Sequence, residues 1–216
     1  MPVILSTTSR AKIKMKQQKL QKPPLYVAIH EAGHAAIMMF LGPPRWIDYI
    51  SLSDTPVDCI GFVKSSSRFD RQLADAIKGS SQFAGGDDVA VSVVEYQNQA
   101  AWMDVIDLMA GNVAELRFRG INPISRGIII GQAVDAAGAR AHGSEQRDDF
   151  VQIYERLEWL DKEAITSNAM KALEETESLV KTHWSKIREL GRWLHETMHI
   201  DAEALNQWRE RWPRHL

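Results

Sequence analysis

Cysteine is almost absent: the 216-residue chain has only Cys59. That excludes a disulfide framework and a thiolate-rich zinc site within one chain, and it fits a reducing compartment. Long apolar runs are lacking as well. None approaches the roughly 18 residues that would suggest a membrane span. The N-terminus has no apolar core of a signal peptide, so the expected location is cytoplasmic. No G-x-x-x-x-G-K-[ST] nucleotide loop appears. Nor is there an excess of one charge. With 26 Lys and Arg against 28 Asp and Glu, the formal net charge is −2, and nothing global attracts nucleic acid. Internal repeats and low-complexity tracts are also missing.

What remains is a chain able to bury a core, with 44% apolar and 25% charged residues, long enough for one large domain or two small ones. Residues 1–24 carry Arg10, Lys12, Lys14, Lys16, Lys19 and Lys22 and no acid, which reads as a solvated, flexible tail. Residues 25–216 read as the folded domain. "LYVAIHEAGHAAIMMFLG" is apolar on nearly every side, the mark of a buried helix, and Gly42-Pro43-Pro44 stops it. "WIDYISLS" and "CIGFVKSS" around Asp54-Thr55-Pro56 predict a small antiparallel β-pair. A short helical piece is expected around 71–78 and a turn at 85–88. A long helix is expected from Val89 or Ala100 to Phe118, ended by Gly120 and Pro123. Residues 121–147, rich in glycine and small residues, read mostly as loop. Helices follow at 149–163, 164–195 and 202–211, with a break at 199–201, so the fold class is mainly α with a C-terminal helical hairpin over about 164–211.

Two stretches, "AIHEAGHAAI" and "WLHETMHIDA", each contain His-Glu-x-x-His. On a helix this spacing sets two imidazoles on one face, able to bind zinc. The Glu after the first His cannot ligate from that face, but it lies beside the metal's open position, where it can take a proton from water. Flanking residues choose between the two. His30, Glu31 and His34 sit in a helix buried by Ala28, Ile29, Ala35, Ala36, Ile37 and Met38, where unpaired polar groups would be costly. Gly33, unfavourable within a helix by about 1 kcal/mol, predicts a close approach to the backbone there. His195, Glu196 and His199 straddle a helix end instead, because Asp201 reads as the cap of the next helix. The first pentad is therefore assigned to the metal, and the second is read as structural.

A catalytic zinc needs a third protein ligand. The extended H-E-x-x-H-x-x-G-x-x-H form is absent, since Ile37 and Phe40 take the places of its Gly and last His. Composition alone leaves Asp87, Asp88, Glu115, His142, Asp148, Asp149 and His183 open.

"HEAGHAAI" resembles the active-site helix of the peptidase domain of FtsH-type proteases, zinc peptidases usually fused to a membrane-bound AAA ATPase. "WIDYISLS…CIGFVKSS" is similar to the β-pair that follows in that family. "LMAGNVAELRFRG" resembles its Gly-Gly-Arg-x-Ala-Glu-x-x-x-x-Gly helix, keeping Gly111, Ala114, Glu115 and Gly120, while Ala110, Asn112 and Leu116 depart from it. "LVKTHWSKIRELGRWLHETMHIDAEAL" is similar to its C-terminal helical pair. The likeness spans roughly 25–210, without an ATPase module or membrane segment in the chain. It implies a third ligand Asp, followed by an apolar residue, at the start of a helix. Asp149-Phe150 matches that pattern, with Asp148 as its rival. For Glu115 it implies accepting the second N–H of a ligand histidine; the plain alternative is a helix-face pair with Arg117 or Arg119.

These observations together lead to the expectation of a stand-alone, soluble, ATP-independent zinc metallopeptidase with one Zn2+ per chain, held by His30, His34 and Asp149. Glu31 is expected to act as general base, and the substrates are peptides or unfolded segments. The β-pair offers an edge on which an extended peptide could add as a strand. The family forms rings, so a homo-oligomer is implied. Two alternatives stay open: a regulatory protease dedicated to one partner such as a repressor, and a non-catalytic metal-binding interaction module.

Overall fold

Pro24 precedes the first turn of helix α1 (Leu25–Phe40), where a proline is tolerated because nearby N–H groups lack helical partners anyway. In the computed structural model, which describes residues 22–41, 47–53, 60–65, 88–141 and 148–212, α1 is the central element. From Val27 to Met39 every residue except His30 is buried. This is the all-round apolar helix that the sequence predicts. It packs chiefly on α2 (Asp88–Phe118) and on a later helix, α6 (Trp184–Thr197). Gly33 lets α1 and α2 touch: a Cβ there would lie 2.7 Å from the Ala110 carbonyl oxygen and 2.8 Å from Ala114 Cβ. The close approach expected of Gly33 is present.

Strands β1 (Ile47–Ser51) and β2 (Phe62–Ser65) form the expected antiparallel pair, with a register irregularity between Ile47 and Tyr49. A third strand, β3 (His199–Asp201), completes a sheet of order β2-β1-β3. The expected break at 199–201 is thus paired backbone, with Ile200 opposite Ile50 and both buried. Three residues are too few to show a period, so only the long-range pairing reveals the strand.

Two further expectations are corrected. The stretch 121–147 is not mostly loop, because α3 (Pro123–Arg140) occupies its larger part. Asn122 caps α3 by accepting the Ser125 N–H at 2.8 Å, and Pro123 follows it. Arg126, Ile130, Val134 and Ala137 form its buried face. Glycines at 127, 131 and 138 obscured that period. Gly138 has a packing reason, for a Cβ there would meet Tyr154 Cε2 at 2.8 Å, on α4 (Asp149–Asp161). Likewise 164–195 is not one helix. It is α5 (Ile165–Thr182) followed by α6, broken at His183. No Gly or Pro marks the break, where the His183 ring stacks on Phe40 with centroids 4.3 Å apart.

The left-handed Met198 (φ 66°) ends α6, and Asp201 caps α7 (Ala202–Glu210) by accepting the Ala204 N–H at 2.9 Å, as expected. One hydrophobic core includes residues of all seven helices described. No helix among the described residues is long and apolar enough to cross a membrane. The basic segment 1–21, Cys59, the helical piece expected at 71–78, Asp87 and His142 lie outside the described residues.

Candidate metal centre

The i,i+4 spacing on α1 places His30 and His34 side by side, with Nε2 atoms 3.0 Å apart. The first residue of α4 completes the group: Asp149 Oδ2 lies 3.4 Å from His30 Nε2 and 3.3 Å from His34 Nε2. Among the described residues, these three form the one group of His, Cys, Asp and Glu side chains able to hold a metal. Tetrahedral coordination at about 2.0–2.1 Å sets donor atoms about 3.3 Å apart, so the spacing suits a divalent ion.

The outer nitrogens support the same reading. His34 Nδ1 lies 2.7 Å from the Asp107 carbonyl oxygen. A carbonyl can only accept, so Nδ1 carries the proton and Nε2 is left as the donor atom for a metal. His30 Nδ1 faces Glu115 Oε2 at 3.3 Å, off line for a hydrogen bond, so the pairing is mainly electrostatic. Two Nε2 atoms at 3.0 Å leave room for at most one proton on the line between them. A cation shared with Asp149 resolves that crowding. Gly111 of α2 makes the space, since a Cβ at this position would overlap the His34 imidazole.

Charge is strongly coupled in this group. Burial disfavours the His30 cation, but Asp149, Glu115 and Glu31 outweigh it and push the imidazole up to about 10. His34 also rises, because Asp149 overcomes its burial. Burial pushes Asp149 up, yet the His34 and His30 imidazoles hold its carboxyl well below the usual carboxylate range. Contact with His30 depresses Glu115, and Arg119 adds to this against partial burial. A metal at these atoms competes with protons, because each ligating imidazole must bind through an unprotonated Nε2.

Glu31 follows His30 on α1 and is 8% exposed. Burial raises its carboxyl, with the two imidazoles pulling the other way. Gly61, just before β2, closes against it: a Cβ there would meet Glu31 Oε1 at 2.5 Å.

The rival acid Asp148 is placed elsewhere. It caps α4 by accepting the Phe150 N–H at 3.0 Å and lies 4.0 Å from Arg140. The second pentad is not brought together as a metal group. His195 Nε2 donates to the Pro23 carbonyl at 3.0 Å, and His199 sits in β3 with its ring centroid 5.1 Å from that of Tyr49. Glu115 takes the plain role of a helix-face ion pair, its Oε1 accepting from Arg119 Nη1 at 2.9 Å, while its Oε2 stands 3.3 Å from His30 Nδ1 without a hydrogen bond. Arg117 does not join that pair and lies over the Trp184 ring. The Asp107 carbonyl and the contact of Gly61 with Glu31 had no signature in the sequence, because both depend on which segments meet.

No family model matches this chain, and no curated protein matches it as a relative.

Proposed function

We propose that the protein is a zinc metallopeptidase that hydrolyses peptide bonds in unfolded or flexible protein segments. The observation that carries this reading is a buried Glu31 next to the convergent His30, His34 and Asp149. A purely structural metal site has no use for a base at that position. The likeness of "HEAGHAAI" to the FtsH-type active-site helix supports the same reading.

His30, His34 and Asp149 would hold the metal through two nitrogens and one oxygen, a donor set suited to zinc with an open position. When bound, zinc supplies Lewis acidity that polarises a peptide carbonyl and acidifies water. Glu31 accepts the proton of the attacking water at its carboxylate. As the new C–O bond forms and the C–N bond breaks, Glu31 passes that proton to the departing amine nitrogen. Burial raises the Glu31 carboxyl, which favours its holding a proton and so strengthens it as a base.

β1 is paired on both sides, so an extended substrate would add at the outer edge of β2, which no described strand covers. Gly61 leads into that strand and touches Glu31, a contact that supports substrate approach along β2.

The test is cleavage of an unfolded protein by the purified zinc-loaded chain, with and without a chelator, beside Glu31→Gln. Chelator-sensitive cleavage that the variant lacks supports the proposal. Wild type that binds zinc yet cleaves no disordered substrate leaves a binding module instead.

A further inference from the structure

We propose that Arg119 is a positioning residue for the metal centre, acting from the surface through Glu115; this rests on the metal reading above. The two histidines are secured differently. His34 Nδ1 donates to a main-chain carbonyl, that of Asp107, whose position belongs to α2 itself. His30 Nδ1 faces only a side-chain carboxylate, Glu115 Oε2 at 3.3 Å. A Glu side chain has several rotatable bonds, and that of Glu115 is 21% exposed, so nothing in the pairing with His30 alone holds it still.

Arg119 provides that constraint. Its Nη1 donates to the other carboxylate oxygen, Oε1, at 2.9 Å. The guanidinium is anchored in turn, lying 5.5 Å from the centroid of the Tyr26 ring. Tyr26 is one helical turn before His30 on α1. Arg119 follows the last residue of α2, and Gly120 turns the chain immediately after it with φ 74°. The guanidinium thus spans the end of α2 and the start of α1, with the carboxylate clamped between it and His30. An isolated Glu–Arg pair four residues apart on a helix does little. Here the same carboxylate stands 3.3 Å from the Nδ1 of His30, an electrostatic pairing that would tighten on a metal-bound imidazole, and outer partners of metal ligands affect affinity by about 10–100-fold.

The experiment uses the full chain stripped of metal. Zinc is titrated against a chromophoric competitor, and Co2+ is followed by its visible absorption. Arg119→Ala should weaken zinc binding by about tenfold and alter the Co2+ spectrum, with the melting temperature of the metal-free protein unchanged. Arg119→Lys, which keeps the charge, should restore most of the affinity. Glu115→Gln should weaken binding by at least as much, and adding Arg119→Ala to it should cause no further loss, as for two residues acting through one route. Wild-type affinity in Arg119→Ala would overturn the inference, as would additive losses in the double variant. Failure of the wild type to bind either ion would defeat the metal reading itself.

Discussion

The imidazole of His34, on α1, donates its Nδ1–H to the main-chain carbonyl of Asp107, on α2, across 2.7 Å. The bond crosses the close α1–α2 contact that Gly33 permits, and Nε2 on the other side of the ring lies near His30 and Asp149. Because the acceptor is backbone, the orientation of His34 is set by helix packing and not by any one side chain. Gly33 and Gly111 permit that packing, the first by letting the helices meet and the second by leaving space for the ring.

His30→Ala, His34→Ala and Asp149→Ala should each abolish stoichiometric zinc binding, measured by elemental analysis after dialysis. His195→Ala and His199→Ala should keep one zinc per chain. Asp148→Ala should also keep it while losing about 1 kcal/mol of stability through the missing helix cap, read from urea melts. Zinc loss from Asp148→Ala alone would reassign the third ligand.

Glu31→Gln should retain zinc while cleavage of an unfolded protein falls by about 10²–10⁴-fold. The amide keeps the shape of the carboxylate but cannot accept the proton. Equal rates for variant and wild type would mean that Glu31 is not the base.

Glycine packing yields two different failures. Gly111→Ala drives a methyl into the His34 ring, so zinc binding should be lost, with a stability cost of about 1–3 kcal/mol typical of overpacking. Gly61→Ala presses on Glu31 instead and should reduce cleavage with zinc retained. Loss of zinc in Gly61→Ala, or its full retention in Gly111→Ala, would contradict the assigned contacts.

Acidity should act oppositely on the metal-free and metal-loaded forms. His30 is raised from 6.5 to about 10, so its contribution to the metal-free fold is complete below pH 6.5 and is lost as pH climbs through about 10. Asp149 is depressed below 3.8, so its contribution is present above that value and is lost as pH falls further. The metal-free protein should therefore melt highest between these limits and weaken towards alkaline pH. Zinc requires neutral imidazoles, so its stabilisation should grow over that same alkaline rise. Calorimetry in two buffers of different ionisation enthalpy should show proton release on zinc binding at neutral pH. Zinc binding without proton release would mean that the histidines are already neutral.

Local information in the sequence determined α1, its buried character, the β1–β2 pair, the Asp201 cap and the choice of the first pentad. Each rests on a run of neighbouring residues: an apolar segment, a turn or a capping side chain. The same local reading made 121–147 a loop, because helix-disfavouring glycines outweighed the spacing of Ile130, Val134 and Ala137. The Asn122 cap starts that helix, and its close contact with Tyr154 at Gly138 gives one of those glycines a packing reason that lies outside the local sequence. Nor could local information separate α5 from α6 at His183, whose partner Phe40 lies on α1. Two histidines one turn apart meet wherever a helix forms, so the first half of the metal group was legible from spacing. Asp149, the Asp107 carbonyl and Gly61 reach it from distant segments. Their arrival depends on how α1, α2, α4 and the sheet pack, and that is a property of the tertiary structure alone.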